Sequence, residues 1–325
     1  MSFNIVLIGA GNIGSRHLQA LKLTKTKIQI TVCEPDEEAI STARARYNQY
    51  SENPNIQKII YVKDFKELPQ NQDFVIIATS AQKRFEIASW CVDNLTIQYM
   101  LLEKVVFQKM QDFEEFEKKI KNKNVKVWIN CPRRMYNFYK DLKKQIQSIE
   151  KLDMIVSGSE WGLGCNAIHM LDLYQYLTQF QTYEYDIKNL DEGYFESKRK
   201  GYFEFSGELD IKTDKGNLSL KCYKGGNMPS AILIDGEKVR GEILEDQGKA
   251  YMQFEDRGWR IEENSFDVQY QSELTNKIVE QLIEHGTCEL TEYEDTIVLH
   301  RIILSAFMSH INKSLKNEVE RCPIT

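Results

Sequence analysis

The chain has 325 residues, enough for two domains and a large core, and 42% of them are hydrophobic, which is ordinary for a globular protein. Its net charge of −6 is spread along the chain, which argues against a nucleic-acid groove or an anionic membrane surface as partner. No apolar run approaches a membrane span, and residues 1–10 lack the layout of a signal peptide. Seven scattered cysteines without a C-x-x-C pair predict a reducing, cytoplasmic setting and show no metal-site signature.

The first part of the chain alternates strands with helices. Strands are predicted at 3–8, 28–33, 58–62, 73–78, 97–102 and 125–130, and helices at 12–23, 36–49, 82–93 and 110–122. This alternation predicts an α/β domain over residues 1–130, a Rossmann doubly wound parallel sheet with helices on both faces. The loops that follow the strands, GAGNIG, EPD, ATSAQ and EKV, are expected to carry the ligand contacts.

A glycine-rich loop ends the first predicted strand. Gly9, Gly11 and Gly14 follow the G-x-G-x-x-G spacing at the start of a predicted helix. Gly9 permits the tight turn, Gly11 lets the backbone approach a pyrophosphate, and Gly14 lets the helix pack close to the strand. We therefore expect these glycines, with Asn12 and Ile13, to bind the phosphates of a dinucleotide at the helix amino terminus.

An acidic residue ends the second predicted strand. Glu34 lies twenty residues after Gly14, the interval at which a carboxylate accepts from the ribose hydroxyls of a dinucleotide. A carboxylate there would repel a 2′-phosphate, so the sequence predicts NAD as the cofactor. The alternative, a parallel-sheet unit that binds nothing, is disfavoured because strand, glycines, helix, strand and acid fall in order.

The second part, residues 131–325, has a different pattern. Helices are predicted at 133–149, 161–178, 272–285 and 293–315, a strand at 152–158, and a meander of strands at 202–263. This predicts an α+β domain with an open, mostly antiparallel sheet. One face of the sheet should lie against helices, and the other should expose aromatic side chains drawn from Phe203, Phe205, Tyr223, Tyr251, Phe254 and Trp259.

Five motifs together resemble those of a known family. GAGNIGSRH is followed by E-P-D at 34–36, ATS at 78–80, E-K at 103–104 and a G-x6-H-x2-D pattern at 162–172. The chain resembles the glucose–fructose oxidoreductase / inositol dehydrogenase / rhizopine-catabolism (Gfo/Idh/MocA) family over most of its length. The resemblance implies an NAD-dependent oxidoreductase that assembles as a homodimer or homotetramer through the carboxy-terminal sheet. It also implies cofactor contacts from the loop residues Ala78, Thr79, Ser80 and Glu103.

The family's Glu-Lys-Pro motif falls on Glu103, Lys104 and Val105, with valine in place of proline. The resemblance implies that Lys104 lies beside the nicotinamide and the substrate hydroxyl. A lysine at a strand end suits that task, because its cation can stabilise a developing alkoxide or carbonyl dipole. The alternative role for Lys104 is an ion pair at the strand end.

The resemblance identifies His169 with the family's general base. A neutral imidazole can take a hydroxyl proton as hydride leaves carbon. Cys165, His169 and Asp172 share one helical face, and Cys165 stands where the family usually has an aspartate. The usual aspartate–histidine relay is therefore absent, or rebuilt with Asn166 or Asp172.

Candidate substrate contacts lie near the start of the second part. Arg133 and Arg134 point in different directions, and one of them could clamp a phosphate or carboxylate. A salt bridge at a domain interface is the equally good alternative. Tyr136 opens the same helical segment, and Trp161 could stack on a sugar ring or belong to the core.

These features predict an NAD-dependent oxidoreductase acting on a carbinol of a sugar or sugar derivative, such as a nucleotide sugar or a surface-glycan precursor. In this interpretation Lys104, His169 and Asp172 are catalytic, and the partner is a small molecule rather than nucleic acid or membrane. One alternative is reduction of a C=N or C=C bond on the same scaffold. Another is a non-catalytic NAD-binding regulatory protein.

Overall fold

The computed structural model describes residues 2–315 and 318–325 and divides into two compact units. The first unit runs from the amino terminus to Asn130 and also contains Gln269–Ile297. The second contains Cys131–Val268 and the residues from Val298 onward. Both units are discontinuous, because the chain returns to the first unit at Gln269–Ile297 before it ends in the second.

The first 130 residues form a parallel sheet flanked by helices. The strands are β1 (Phe3–Ile8), β2 (Ile28–Cys33), β3 (Ile56–Val62), β4 (Asn71–Ile77), β5 (Thr96–Leu102) and β6 (Lys126–Ile129), in the spatial order β6-β5-β4-β1-β2-β3. The helices are α1 (Asn12–Leu21), α2 (Glu37–Tyr47), α3 (Ala81–Asn94) and α4 (Met110–Lys123). This confirms the predicted Rossmann fold.

The position of β1 in this sheet fixes where a ligand can bind. The register sets Leu7 of β1 beside Val32 of β2 and Ile76 of β4, and all three side chains are buried. The chain runs outward from β1 in both directions, so the loops after β1 and β4 separate there. In open α/β sheets this switch point, at the carboxyl ends of the strands, is where ligands bind.

The chain then enters the second unit. It contains α5 (Asn137–Gln145), β7 (Leu152–Ser159), α6 (Leu163–Thr178), β8 (Tyr183–Asp186), β9 (Phe195–Glu196), β10 (Phe203–Glu204), β11 (Gly207–Thr213), β12 (Gly216–Tyr223), β13 (Ala231–Gly236), β14 (Val239–Leu244), β15 (Lys249–Phe254) and β16 (Glu262–Ser265). Eight strands form one sheet in the order β16-β15-β14-β13-β7-β12-β11-β8. Only β7 and β12 pair in parallel, which confirms the predicted open, mostly antiparallel sheet.

Two details of the second unit differ from the sequence prediction. The helix expected over 133–149 is broken, because Pro132–Met135 form a 3₁₀ turn and Tyr136 is extended before α5 begins. Phe205 and Phe254 do not lie on an exposed sheet face. Phe205 is buried and stacks on Phe307 with ring centroids 4.2 Å apart, and Phe254 pairs with the buried Val239 on the covered face.

After β16 the chain returns to the first unit. A short 3₁₀ turn at Gln271–Glu273 leads into α7 (Thr275–His285), and β17 (Thr291–Glu292) adds an antiparallel edge strand to β6. The long helix α8 (Tyr293–Leu315) follows directly. Its first residue, Tyr293, is buried among phenylalanines that precede or belong to α4, so this return segment completes the core of the first unit.

Candidate functional site

The three loop glycines meet different surroundings. A Cβ on Gly14 would lie 1.9 Å from the carbonyl oxygen of Gly9, so α1 packs against the loop too closely for any side chain there. Gly9 has a φ of +89° and would bring a Cβ within 3.1 Å of the Ala78 carbonyl group. A Cβ on Gly11 would meet nothing within 4 Å. The loop is therefore tightly packed at both ends and open at Gly11.

The amino terminus of α1 is left open to a ligand by its own sequence. Gly11 occupies the N-cap position, no side chain caps the helix, and the first turn has no acidic residue. By contrast, Asp36 caps α2 by accepting from the backbone N–H of Glu38 at 3.0 Å. Free N–H groups and the helix dipole suit a phosphate. The open space at Gly11 and the exposed Asn12 thus fit a dinucleotide pyrophosphate.

Glu34 is held against the glycine-rich loop. Its carboxylate accepts from the backbone N–H of Ala10 at 2.7 Å and from that of Asp36 at 3.1 Å. The acidic group predicted from the spacing after Gly14 therefore lies at the end of β2 and directly beside the loop. Its negative charge is fixed in place by backbone donors.

Arg46, near the end of α2, contributes a contact that sequence reasoning missed. Its guanidinium donates to the carbonyl oxygen of Asn12 at 3.0 Å and to the hydroxyl of Ser15. It thereby braces the first turn of α1, which the glycine-rich loop leads into. The amphipathic pattern of α2 gives no signal for this contact, because Arg44 and Arg46 look alike in sequence and only the packing of α1 on α2 separates them.

The loop after β5 carries the predicted Glu103 and Lys104. Glu103 is buried, Lys104 is half-buried, and the Lys104–Val105 peptide bond is cis. The buried guanidinium of Arg84, in the first turn of α3, donates to the carbonyl oxygens of Val105 and Val106, the latter at 3.2 Å. This clamp holds the segment that follows Lys104.

Arg84 also joins that segment to the loop after β4. It donates to the carbonyl oxygen of Thr79, and the N–H of Ala78 donates to Ile8 in β1 at 2.8 Å. Ser80 occupies the N-cap position of α3. Arg84 was not predicted as a site residue, although a signal existed: it is the one charged residue on the buried face of α3, three positions after Ala81.

Glu103 is tied to α1 through a buried histidine. His17 Nε2 lies 2.9 Å from Glu103 Oε1, and Asn130 also donates to that oxygen. Burial alone would raise the pKa of Glu103, but the hydrogen bonds from His17 and Asn130 hold it below its usual value. Glu103 is therefore an ionised carboxylate inside the first unit.

The residues predicted on the second unit surround the start of α6. Glu204 accepts from the N–H of Gly164 at 2.6 Å and of Cys165 at 3.2 Å, and so caps the helix with a buried carboxylate. Asn166 donates to the carbonyl oxygen of Trp161 at 2.6 Å. His169 lies one turn further along α6 and is half-buried, as is Cys165.

Trp161 and Asp172 are both held by neighbours within the second unit. The indole N–H of Trp161 donates to the carbonyl oxygen of Lys221 at 2.8 Å. Asp172 is buried on α6 and accepts from Nε of Arg134 at 2.9 Å. The structure therefore gives Arg134 a carboxylate partner one helical turn after His169.

Arg133 has a separate partner in the same unit. It makes a bidentate ion pair with Glu245, with contacts of 2.6 and 2.9 Å, and the hydroxyl of Tyr139 donates to the same carboxylate at 2.6 Å. Burial works to raise the pKa of Glu245, but the Arg133 guanidinium outweighs burial and holds it below its usual value. Tyr136 is buried and stacks on Tyr139.

The part of the chain that the structure describes contains neither a metal-binding cluster nor a membrane-spanning helix. Within residues 2–315 and 318–325, no three histidine, cysteine, aspartate or glutamate side chains are grouped so as to hold a metal ion. Over the same residues, every helix is too short or too polar to cross a membrane.

Comparison of the fold with solved structures finds similar chains over nearly the whole length. An oxidoreductase from Agrobacterium radiobacter, solved with NAD+, L-tartaric acid and magnesium, has a TM-score of 0.73 at 16% identity, covering 96% of this chain and 97% of that one. A UDP-N-acetylglucosamine 3-dehydrogenase from Acidithiobacillus ferrooxidans has a TM-score of 0.67 at 12% identity, covering 98% of each chain. A biliverdin reductase from Synechocystis sp. PCC 6803, solved with biliverdin and NADP+, has a TM-score of 0.70 at 9% identity, covering 93% and 97%.

These likenesses show a shared fold. No curated protein matches the chain in sequence. The sequence does match a family model, described as an oxidoreductase family with an NAD-binding Rossmann fold, over residues 3–131. That range contains the open glycine-rich loop, Glu34 and the clamped segment around Lys104. The domain spanning residues 3–131 therefore belongs to the Gfo/Idh/MocA family of NAD-binding oxidoreductases, as the sequence motifs predict.

Proposed function

We propose that the protein is an NAD-dependent oxidoreductase acting on a carbinol of a sugar or sugar derivative. The observation that carries the proposal is the loop after β1. It is closed to side chains at Gly9 and Gly14, open at Gly11, and followed by an uncapped helix. A loop of this form, in a domain of an NAD-binding oxidoreductase family, is suited to a dinucleotide and leaves the reaction to its nicotinamide end.

The preference for NAD over NADP rests on Glu34. Backbone donors from Ala10 and Asp36 keep its carboxylate at the end of β2, where the adenosine ribose binds in Rossmann domains. A 2′-phosphate there would face that negative charge at close range. Fluorescence titration with NADH and NADPH tests this preference. Equal or tighter binding of NADPH would contradict it.

The catalytic roles proposed for this chain's residues concern one proton and one oxygen. The bound nicotinamide supplies the hydride acceptor. His169 takes the hydroxyl proton on its imidazole, and the Lys104 ammonium stabilises charge that develops on the substrate oxygen. Asp172, held by Arg134, orients α6 one turn beyond His169. Removing a general acid or base costs about a hundredfold to ten-thousandfold in rate, so His169→Ala and Lys104→Ala should lose turnover and keep cofactor binding.

The substrate class is proposed as an activated or acidic sugar, such as a nucleotide sugar. A solved structure of similar fold is a UDP-N-acetylglucosamine 3-dehydrogenase, which is compatible with this class. Arg133 and Arg134 are engaged with Glu245 and Asp172, so either could clamp a substrate phosphate only by leaving that partner. The exposed cations at 198–200 remain as further candidates.

A second candidate function is reduction of a C=C or C=N bond on the same scaffold. Cys165 favours it, because a thiol stands where the resemblance places the aspartate of the usual proton relay. One solved structure of the same fold is a biliverdin reductase.

A substrate screen separates the two candidates. Production of NADH would be followed with free polyols, sugar acids and nucleotide sugars, and consumption of NADH with unsaturated and imine acceptors. We expect NADH production with at least one sugar derivative. Turnover confined to the unsaturated or imine acceptors would favour the second function. NADH binding without turnover on any compound would favour a non-catalytic role.

We further propose assembly as a homodimer or homotetramer in the cytoplasm. The outer face of the eight-stranded sheet places Ile155 beside Leu233 and carries Tyr251 and the exposed Tyr223. Contact with a second copy would cover this face. None of the seven cysteines forms a disulfide, which suits a reducing compartment. A stable monomer at micromolar concentration in sedimentation would contradict the assembly.

A further inference from the structure

A buried polar cluster joins four separate segments of the first unit. It contains His17 from α1, Glu103 after β5, Asn130 after β6, and Gln271 and Thr275 from the segment that returns late in the chain. His17 and Thr275 are fully buried, and Glu103 and Asn130 are 5% and 3% exposed. Of these side chains only Glu103 is an expected cofactor contact, and the proposed proton transfer uses none of them.

The orientation of each group follows from the hydrogen bond that the Asn130 amide donates to Glu103. An ionised carboxylate only accepts, so the amide N–H of Asn130 must face it. The same Asn130 amide nitrogen donates to Gln271 Oε1 at 2.7 Å, which turns the Gln271 amide nitrogen toward the other end of the cluster. There it lies 2.9 Å from Thr275 Oγ1 and 3.2 Å from His17 Nδ1.

This series of hydrogen-bond donors indicates which ring nitrogen of His17 carries the proton. Nδ1 of His17 faces the amide N–H of Gln271 and lies 2.8 Å from the Thr275 hydroxyl, whose proton is free to point at it. A proton on Nδ1 would oppose the Gln271 donor, so Nδ1 accepts and the proton sits on Nε2. Nε2 then donates to Glu103 at 2.9 Å. With the proton on Nε2, the Thr275 hydroxyl has Nδ1 as its acceptor and Nε2 has Glu103 as its acceptor.

We propose that His17 is a positioning residue that, as the neutral Nε2–H tautomer, fixes Glu103 and through it the backbone from which Lys104 projects. This inference rests on the proposed function, which makes Lys104 a catalytic residue. Lys104 directly follows Glu103, and Arg84 clamps the carbonyl groups of Val105 and Val106 on the other side. Lys104 is therefore held between two buried clamps.

The cluster also links the glycine-rich loop to the backbone of Lys104. His17 lies on the same helix that begins at the open glycine-rich loop, about one and a half turns further along. Because α1 is rigid, the hydrogen bond from His17 sets the distance between that loop and the Lys104 backbone. Misplacing a catalytic group by about 1 Å can cost about a hundredfold in rate.

The tautomer itself is tested by nitrogen-15 NMR on the intact protein. The chain has five histidines, and loss of one set of ring signals in His17→Gln assigns His17. We expect a bare Nδ1 and a protonated Nε2 at neutral pH. A proton on Nδ1, alone or together with one on Nε2, would overturn the inference. This readout requires no turnover, so it stands even if the proposed function fails.

The positioning role is tested by three variants and one control variant, with the NAD affinity of each measured alongside its turnover. His17→Leu removes the donor to Glu103, and we expect kcat to fall about a hundredfold while the NAD dissociation constant stays within about threefold. His17→Gln keeps an N–H where Nε2 was and should recover most of the rate. Thr275→Val removes the hydroxyl at Nδ1 and should fall between them, whereas Thr24→Val, at a buried threonine outside the cluster, should match the wild type. Equal rates in His17→Leu and His17→Gln would contradict the proposal.

The chemical reactivity of Lys104 tests its positioning without any substrate. The rate at which an amine-reactive reagent labels Lys104 is read by mass spectrometry of its peptide. We expect this rate to change at least about threefold in His17→Leu and Thr275→Val and to stay near wild type in His17→Gln and Thr24→Val. Unchanged labelling in His17→Leu would refute the positioning of Lys104, whatever the substrate proves to be.

Discussion

Arg133 stabilises the second unit through a largely buried ion pair. Its guanidinium is paired with Glu245, and their side chains are only 19% and 15% exposed. Arg133→Leu would leave the Glu245 carboxylate inside the second unit with only Tyr139 as a donor. Breaking a buried pair by removing one partner costs about 3–5 kcal/mol. Urea unfolding should show this loss.

The matched control for that substitution is an exposed pair in the same unit. Arg240 and Asp235 lie on neighbouring strands with side chains 66% and 62% exposed, and they are 3.4 Å apart. Pairs of this kind contribute about 0–1 kcal/mol, so Arg240→Leu should barely change the urea midpoint. Equal losses in the two variants would show that the Arg133 pair is not a buried clamp.

The same pair predicts how stability depends on pH. The pKa of Glu245 in the folded protein is below its ordinary value of 4.5, so the unfolded chain takes up this proton first as the solution is acidified. The stabilisation is complete above that ordinary pKa and is lost as pH falls through the folded pKa. Glu245→Gln should therefore be less stable than wild type near neutrality but lose less stability between neutral pH and about pH 3. Thermal melts across this range check it, and parallel curves would contradict it.

At the scale of single residues, the sequence is informative where a local spacing carries the chemistry. Gly9, Gly11, Gly14 and Glu34 lie where the fingerprint predicts, because strand, turn and helix fix their relative positions within one local unit. The partner of His17 could not be predicted in this way. Glu103 is 86 residues away and Thr275 is 258 residues away, and no periodicity records such contacts.

At the scale of elements, the loop between β1 and α1 separates two effects of glycine. Gly14→Ala would place a Cβ 1.9 Å from the Gly9 oxygen, which forces the helix away from the strand. Overpacking of this kind costs about 1–3 kcal/mol or more, so its melting temperature should fall by several degrees. Gly11→Ala meets nothing within 4 Å and has a φ of −62°, so its loss should be the smaller one that alanine causes in place of glycine at an N-cap.

NAD binding should be affected strongly by Gly11→Ala, the variant that affects stability less. The Cβ of Gly11→Ala enters the open space that the pyrophosphate would take, so we expect NAD affinity to fall at least about tenfold. Calorimetric titration and thermal melts on the same samples check both effects. If Gly11→Ala bound NAD as tightly as wild type, the cofactor would not lie against this loop.

Periodicity predicted where the helices and strands begin and end better than it predicted which of their faces are buried. The alternating pattern of the first 130 residues predicted all six parallel strands and the four α-helices of that segment, but not the added edge strand β17. The segment 133–149 is predicted as one helix. In the structure Pro132–Met135 form a 3₁₀ turn, and the extended Tyr136 separates this turn from α5. Phe254 was assigned to the exposed sheet face, whereas its register with Val239 buries it. Register depends on pairing across strands, which a single sequence does not show.

At the scale of the whole molecule, the main surprise is that the first unit is discontinuous. Residues 269–297 rejoin it between the two parts of the second unit and add β17 to the edge of the parallel sheet. Tyr293 fills its core by packing on Phe107, Phe113 and Phe116. The sequence shows a helix at 293–315 but not where its first turn is buried, since the contacting residues are about 180 positions away.

Stability of the first unit should therefore depend on a residue far along the chain. Tyr293→Ala removes a buried aromatic ring and should cost about 3–5 kcal/mol. Tyr293→Phe removes only the hydrogen bond to the Phe113 carbonyl group, 3.0 Å in length, and should cost about 1 kcal/mol. Hydrogen exchange in β6 and α4 should accelerate strongly in the first variant and slightly in the second. Unchanged exchange there in Tyr293→Ala would contradict the discontinuous unit.

Direct hydride transfer is the measurement that tests the account most closely. The sugar derivative found in the screen, deuterated at its carbinol carbon, would be incubated with NAD and the protein, and the nicotinamide product analysed by mass spectrometry. We expect one deuterium in each NADH formed, at a rate that His169→Ala lowers about a hundredfold or more while still binding NAD. NADH without deuterium, or label transfer unchanged in His169→Ala, would contradict the proposal.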